Sequence, residues 1–399
     1  MNKIELTTLL AEDVSGTPTS RIVRSLSARG SLSAAQLARL TGLAKSTVSQ
    51  TLADLRRSGV VVEAAAEGRP AGAGRPATML TLNPEAGTVL GALIGLREIK
   101  VIIADVSHAI IAQKSVLMDE DYSPADAVDI IRDLATEGYR DHAISRAGLM
   151  GVGVAIAGPV NPIDGRIQRA SVVPTWAGID VRDVFGPVFN RPVVVDNESN
   201  CAAVAEMTWG VAQGHDDFVL FKVDAGVGGA IVSGGRVMTG IAGAAGEFGH
   251  MSINPDGPLC RCGNRGCLEL YASFRDNLAI ASRRFGRPMT MDDVILLAES
   301  GDVGCRRLIE DTAEIAGHGL GMIGTIINPP LIVIGGRMAL AGELLLAPLR
   351  ASYEKHTLVK SRDVNAASRT QIVKGQFTEN DSVLGAVGLV LRREGHNRI

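Results

Sequence analysis

Close to the N-terminus, apolar positions recur at helical spacing. Ile22, Val23 and Leu26 form one stripe, Leu32-Ser33 reads as a cap, and Ala34 to Leu40 follows as a second short helix closed by the turn Thr41-Gly42-Leu43. From Lys45 to Arg56, Val48, Leu52 and Leu55 fall at i, i+4 and i+7. That spacing predicts a third helix with one face packed inward and Lys45, Ser46, Thr47 and Gln50 at its exposed start and outer face. Val60 to Val62 and Met79 to Leu82 alternate as strands. Between them Glu67 to Ala77 carries Arg69 and Arg75 in two Gly-Arg-Pro repeats and reads as a hairpin. This order of elements is that of a winged helix-turn-helix, in which the third helix enters the major groove and an arginine-bearing wing lies in the narrow, negative minor groove.

From Gly87 the pattern changes to alternating β and α signals. Val89 to Gly95, Lys100 to Ala104, Gly151 to Ala157 and Val193 to Val195 read as strands, with helices at Pro124 to Thr136 and Ser199 to Trp209. Val219 to Val223, Ala230 to Val232 and Leu331 to Ile334 repeat the strand signal, which suggests two α/β lobes around a cleft. The uncharged run from Ile315 to Gly336 is long enough for a membrane span. His318, Asn328 and Pro329-Pro330 divide it, however, into a Gly-rich helix, a turn and a short buried strand. No membrane partner is expected. Residues 1–16 carry three acidic groups and no continuous apolar stretch, so they do not read as a secretory signal, and a cytoplasmic location is expected.

Charge separates the two parts. Nine basic and three acidic residues fall between Thr17 and Asn83, a net +6, while the whole chain carries −3; a cationic module of residues 1–83 therefore precedes an acidic body of residues 84–399. Spacing, charge and the paired Gly-Arg-Pro repeats together point to DNA rather than to a solvated basic face on a protein-binding module. The 399 residues, 46% apolar and 21% charged, can bury cores of this kind and exclude wholesale disorder.

Cysteine adds chemistry. The five cysteines are an odd number in a chain without an export signal, which argues against a disulfide framework. His250 with Cys260, Cys262 and Cys267 gathers one imidazole and three thiols within 18 residues, the donor set of a closed tetrahedral Zn²⁺ site that would fix a loop at about 250–269. The competing reading is a redox pair with an incidental histidine. Cys201 and Cys305 lie in apolar helical contexts and read as small buried hydrophobes.

Four segments carry a resemblance: Ala157-Gly158-Pro159-Val160, Val195-Asp196-Asn197-Glu198-Ser199-Asn200-Cys201-Ala202-Ala203, Ala245-Gly246-Glu247-Phe248-Gly249-His250, and the run from Cys260 to Glu269. They resemble the ROK family of repressors, open reading frames and kinases. The resemblance implies an N-terminal winged helix-turn-helix plus an α/β two-lobed actin-like (ribonuclease H-like) sugar-kinase fold. It also implies sugar contacts at Asn197, Glu198, Glu247, His250 and Glu269, with Gly158 and Gly240 lining the pocket. Carboxylates and an amide suit vicinal hydroxyls, because each oxygen can accept from one hydroxyl while the amide donates to the next. Without the resemblance, Glu247 and Glu269 read as ordinary surface carboxylates.

The kinase pattern is damaged. Where the family has an Asp-x-Gly-Gly-Thr-Lys-like loop, the chain has Leu93-Ile94-Gly95-Leu96-Arg97-Glu98, and where it has Gly-Thr-Gly-x-Gly-Gly, the chain has Asp224-Ala225-Gly226-Val227-Gly228-Gly229. The position of the general base is Glu198, one methylene longer than the family's Asp, and a displacement near 1 Å can lower a rate by roughly 10²-fold. Phosphate handling is therefore expected to be lost and sugar contacts kept, so no catalytic residue is assigned. The expectation is a sugar-responsive transcriptional repressor, a homodimer or dimer of dimers on a pseudo-palindromic operator, with structural Zn²⁺. The alternatives are an active sugar kinase with a DNA-binding appendage, and an activator or a regulator responding to a phosphosugar.

Overall fold

The computed structural model describes residues 17–64, 78–119, 122–168 and 173–392. Arg69, Arg75, Ser171 and Val172 lie outside the described residues. The chain divides into two compact units, Met1–Ile156 with Ile179–Asp196 and Ala386–Ile399, and Ala157–Gly178 with Asn197–Gly385.

The first unit opens with three helices, α1 (Pro18–Arg29), α2 (Ala34–Thr41) and α3 (Lys45–Arg57). Thr17 caps α1 by accepting from the Ser20 amide, with Pro18 in the first turn, where a missing N–H leaves nothing unsatisfied. Ser33 and Gln36 cap α2 reciprocally, so the Ser33 expected as a cap is one. Leu32-Ser33 also forms β1, which pairs antiparallel with β3 (Met79–Leu82); β2 (Val61–Glu63) pairs with the other edge of β3. Ile22, Leu26, Leu37 and Leu82 are fully buried beneath Val48, Leu52 and Leu55, the stripe that the helical spacing predicts. Each such side chain contributes about 1.5–3 kcal/mol by leaving water.

Val106 belongs to that same core, although it lies on the turn between β5 (Glu98–Asp105) and β6 (Ile110–Leu117). Beside it the His108 ring lies 2.7 Å, through Nε2, from the Ser27 carbonyl of α1, which can only accept, so Nε2 carries the proton. Ser27 Oγ in turn donates to the Leu391 carbonyl at 2.6 Å in α12 (Asp381–Arg392). The helical head is thus fastened to the sheet by a buried apolar contact and two hydrogen bonds.

That sheet has the order β6-β5-β4-β7-β8, with β4 (Thr88–Ile94), β7 (Leu149–Ile156) and β8 (Val193–Asn197). The helices α4 (Pro124–Asp141) and α5 (Val181–Phe189) belong to the same unit. β4, β5 and β6 form an antiparallel meander, and β7 then adds parallel to β4. In the second unit β9 (Phe218–Val223), β10 (Val227–Ser233) and β11 (Arg236–Val237) repeat the meander. There β12 (Leu331–Gly335) adds parallel to β9 and β13 (Gln371–Lys374) parallel to β12. One folding pattern therefore occurs twice, as the repeated strand signal suggests.

The uncharged run resolves as its polar breaks predict: α10 (Val303–Ile327) stops at Asn328, left-handed at φ 48, and β12 follows, fully buried. No helix among the described residues is long and apolar enough to cross a membrane. Burial pushes the His108 imidazole below its ordinary value near 6.5, aided by the charge of Arg392 and opposed by the Ser27 hydrogen bond and Asp105. A histidine with a depressed folded value contributes fully above about 6.5 and loses that contribution as pH falls, because the unfolded chain takes the proton first. Between about pH 7.5 and 5.5 the urea midpoint of the wild type should fall further than that of His108→Gln, whose amide can still donate to Ser27. Equal falls would remove His108 from the linkage.

Candidate functional site

On the head, α3 presents Lys45, Ser46 and Gln50 to solvent and keeps Thr47 half-buried, while Val48, Leu52 and Leu55 face the core. Arg56 pairs with Glu63 and Arg57 with Asp54 at 3.0 Å, so the C-terminal end of α3 is partly neutralised and the unpaired polarity lies at its start. That distribution suits a recognition helix whose first turns face base edges.

The second unit gathers the body's candidate residues. β8 ends at Asn197 and α6 (Glu198–Thr208) begins at once, so the strand-to-helix junction fixes both side chains. Asn197 caps the helix: its Oδ1 accepts from the Ser199 amide at 2.7 Å, and its Nδ2 donates to the Gly158 carbonyl at 2.9 Å. The structure thereby joins Gly158 to Asn197. Glu198, partly exposed at the first position of α6, has its carboxyl pushed above the ordinary range by burial and by Asp381 and Asp224, against the opposing charges of Lys222 and Arg261.

Two further carboxylates converge on it. Burial, helped by the charges of Glu198 and Glu269, pushes Glu247 up to about 7, and only Arg261 pulls it the other way. Glu269 opens the short helix α7 (Glu269–Ala272) and is 8% exposed, far more buried than an ordinary surface carboxylate. Gly240 stands apart, in a turn that packs on Ala245 ahead of Glu247.

His250 links these carboxylates to the thiols. Its Nδ1 lies 3.7 Å from Cys260 Sγ, and its Nε2 faces Glu247 Oε2 at 3.9 Å. Cys262 and Cys267 sulfurs are 3.6 Å apart, and all four donor atoms fall within 4.8 Å of one another. A tight knuckle holds them, with the Cys260 amide donating to Asn264 and the Gly263 amide to Cys260. At Gly266, φ +59, a Cβ would strike the Asn254 carbonyl, so the turn requires glycine. The Cys267 thiol is pushed up to about 12 by burial and its sulfur neighbours; a bound divalent cation would supply the positive charge that a thiolate there needs. Three sulfurs and one ring nitrogen at this spacing fit a tetrahedral metal and leave no fifth protein donor to compete. A metal-bound Nδ1 with a carboxylate beyond Nε2 is the usual arrangement of a histidine ligand and its orienting partner. Cys201 and Cys305 are fully buried, as their contexts predict.

The glycine loop between β9 and β10 is engaged internally. Asp224 accepts from the Ala225 amide at 2.7 Å and from the Arg337 amide at 2.9 Å. Arg337 itself pairs through its guanidinium with Asp292 and, at 3.3 Å, with Glu379. Lys222 is held by Asp381 at 3.1 Å and Ser382 at 3.1 Å. These couplings, which the sequence does not announce, commit two backbone amides and two cationic side chains to partners within the chain. In the first unit, Glu98 of the other altered loop pairs with Lys100 at 3.2 Å, and the Gly95 amide donates to the Glu98 carbonyl.

A winged helix ahead of a duplicated α/β body of the actin-like sugar-kinase type is the class that fold and site define. Residues 89–393 match the ROK family and residues 12–69 the MarR family of DNA-binding heads. The chain belongs to the ROK family. It is 28% identical over 363 residues to the xylose repressor of Bacillus subtilis, covering 90% of this chain and 91% of that one. It is 30% identical over 287 residues to the glucokinase of Streptomyces coelicolor, with 67% and 88% covered. Among solved structures, a ROK family transcriptional regulator homologous to the MLC protein of E. coli superposes with TM-score 0.71 at 21% identity, over 98% of this chain and 96% of that one. A ROK glucokinase from Streptomyces griseus, in complex with glucose and AMPPNP, gives 0.68 at 27% identity over 76% and 99%.

Purified protein is expected to carry about one equivalent of divalent metal per chain, and Cys267→Ser to lose it and melt at a lower temperature. Chelation that leaves the wild-type melting temperature unchanged would show that the knuckle holds without a cation.

Proposed function

We propose that the protein is a sugar-responsive transcriptional repressor. Two features of one chain carry this reading. A head presents Lys45, Ser46 and Gln50 outward, and a body gathers Asn197, Glu198, Glu247 and Glu269 while Asp224 takes the Ala225 amide of the glycine loop and the Arg337 amide. The carboxylates and the amide would accept from and donate to sugar hydroxyls, with Gly158 and Gly240 shaping the wall. His250, Cys260, Cys262 and Cys267 would hold Zn²⁺, which supplies fixed geometry to the segment that ends at Glu269. The head, with Thr47 and the arginines Arg69 and Arg75, would bind a pseudo-palindromic operator as a homodimer. A sugar releases DNA only through a difference in its affinity for the DNA-competent and DNA-incompetent states. The relatives named xylose repressors support this direction of control.

Phosphoryl transfer is the second reading, favoured by the glucokinase relatives. Asp224 argues against it, because a carboxylate on the loop repels phosphate and competes for the same amides.

Fluorescence anisotropy on DNA from the protein's own upstream region, at fixed salt and with a panel of mono- and disaccharides, tests the proposal. The expected result is sequence-preferring binding released by a sugar without ATP. DNA binding indifferent to every sugar, together with steady ADP production above a Glu198→Gln control, would move the assignment to the kinase. Asp224→Gly should increase ATP·Mg²⁺ affinity by about tenfold or more in equilibrium dialysis, since it frees two amides and removes a charge. No change would mean that Asp224 is not what keeps nucleotide out.

A further inference from the structure

Arg261 stands between two of the proposed metal ligands, Cys260 and Cys262, where the motif specifies only spacing. Its guanidinium Nη2 lies 2.8 Å from Glu269 Oε1 and 3.1 Å from Oε2. The two side chains are 27% and 11% exposed, so the pair is largely out of water, where a charge-assisted contact is stronger than on an open surface. The glycine loop passes against it: a Cβ on Gly226 would come within 3.3 Å of Glu269 Oε2 and 4.0 Å of Arg261 Nη2. Lys222 and Arg337, the cations nearest the loop, are committed to Asp381, Asp292 and Glu379. Arg261 is therefore the cation paired with Glu269, and its charge also reaches Glu247 and, together with that of Lys222, Glu198.

We infer that Arg261 is a positioning residue of the effector site: it holds the Glu269 carboxylate in its hydroxyl-accepting orientation and ties that orientation to the metal knuckle. One guanidinium nitrogen takes one lone pair on each Glu269 oxygen, and the remaining lone pairs stay available to a polyhydroxylated ligand. Because the arginine is carried by the knuckle's own backbone, folding of the knuckle sets the position of a carboxylate eight residues away. Loss of Arg261 would leave the buried Glu269 carboxylate without its ion-pair partner and free to turn aside. The inference rests on the sugar reading of this site.

The test uses full-length wild type, Arg261→Gln and Arg261→Lys. Metal content, DNA affinity without sugar, and calorimetric affinity for D-xylose and D-glucose are measured on the same preparations. Arg261→Gln should keep its metal and its DNA affinity yet bind sugar about 10- to 100-fold more weakly, the range seen when an orienting partner is removed. Arg261→Lys, which restores a single charged donor, should recover most of that loss. In a cycle with Glu269→Gln, the two single effects on sugar affinity should not add. Wild-type sugar affinity in Arg261→Gln would overturn the inference while leaving the sugar reading intact. Loss of metal in that variant would make the arginine part of the knuckle's fold and overturn it equally. A wild type that binds neither sugar would bring down the sugar reading and the inference with it.

Discussion

Like charges held close together where water is scarce repel, and the second unit is organised around that constraint. Burial and the nearby charges of Glu198 and Glu269 push Glu247 up to about 7. Such a cluster persists only if something else orders it. Here the strand-to-helix junction at Asn197 fixes Glu198, the turn before His250 fixes Glu247, and the knuckle fixes Glu269. Carboxylates gathered in this way are poor hosts for an anion and good acceptors for neutral hydroxyl groups.

The arrangement also explains why a kinase-like fold can serve regulation. Fold does not determine chemistry; the glycine loop does, through the backbone donors it leaves open. In this chain Asp224 takes the Ala225 amide of that loop, and it also reaches the amide of Arg337, two residues past β12. The loop is thus closed by internal hydrogen bonds that also lock β9 to the segment following β12.

Much of this was legible in the residues. The stripe Val48, Leu52, Leu55 gave α3 and its outward face because a helix against a core must repeat near 3.6. The breaks at Asn328 and Pro329-Pro330 separated α10 from β12 because a left-handed cap and two prolines cannot continue a helix. The knuckle was readable because metal ligands must be close in sequence when the loop is short. What the sequence withheld depends on distance along the chain. Ser27 meets Leu391 across 364 residues, Asp224 meets the Arg337 amide across 113, and no local pattern marks either. Arg261 was hidden differently: it sits inside a recognised motif, at a position whose identity the metal does not constrain.

The fastening of the head rests on long-range contacts of this kind. Val106, His108 and Ser27 connect the three-helix core to the sheet of the same unit, and Ser27 connects it to the end of α12. That helix starts at Asp381, the partner of Lys222, in the second unit. Both anchors are buried polar contacts, and a buried donor or acceptor left without its partner costs more than the bond itself contributes, so the ends of the helix are fixed by what breaking them would expose.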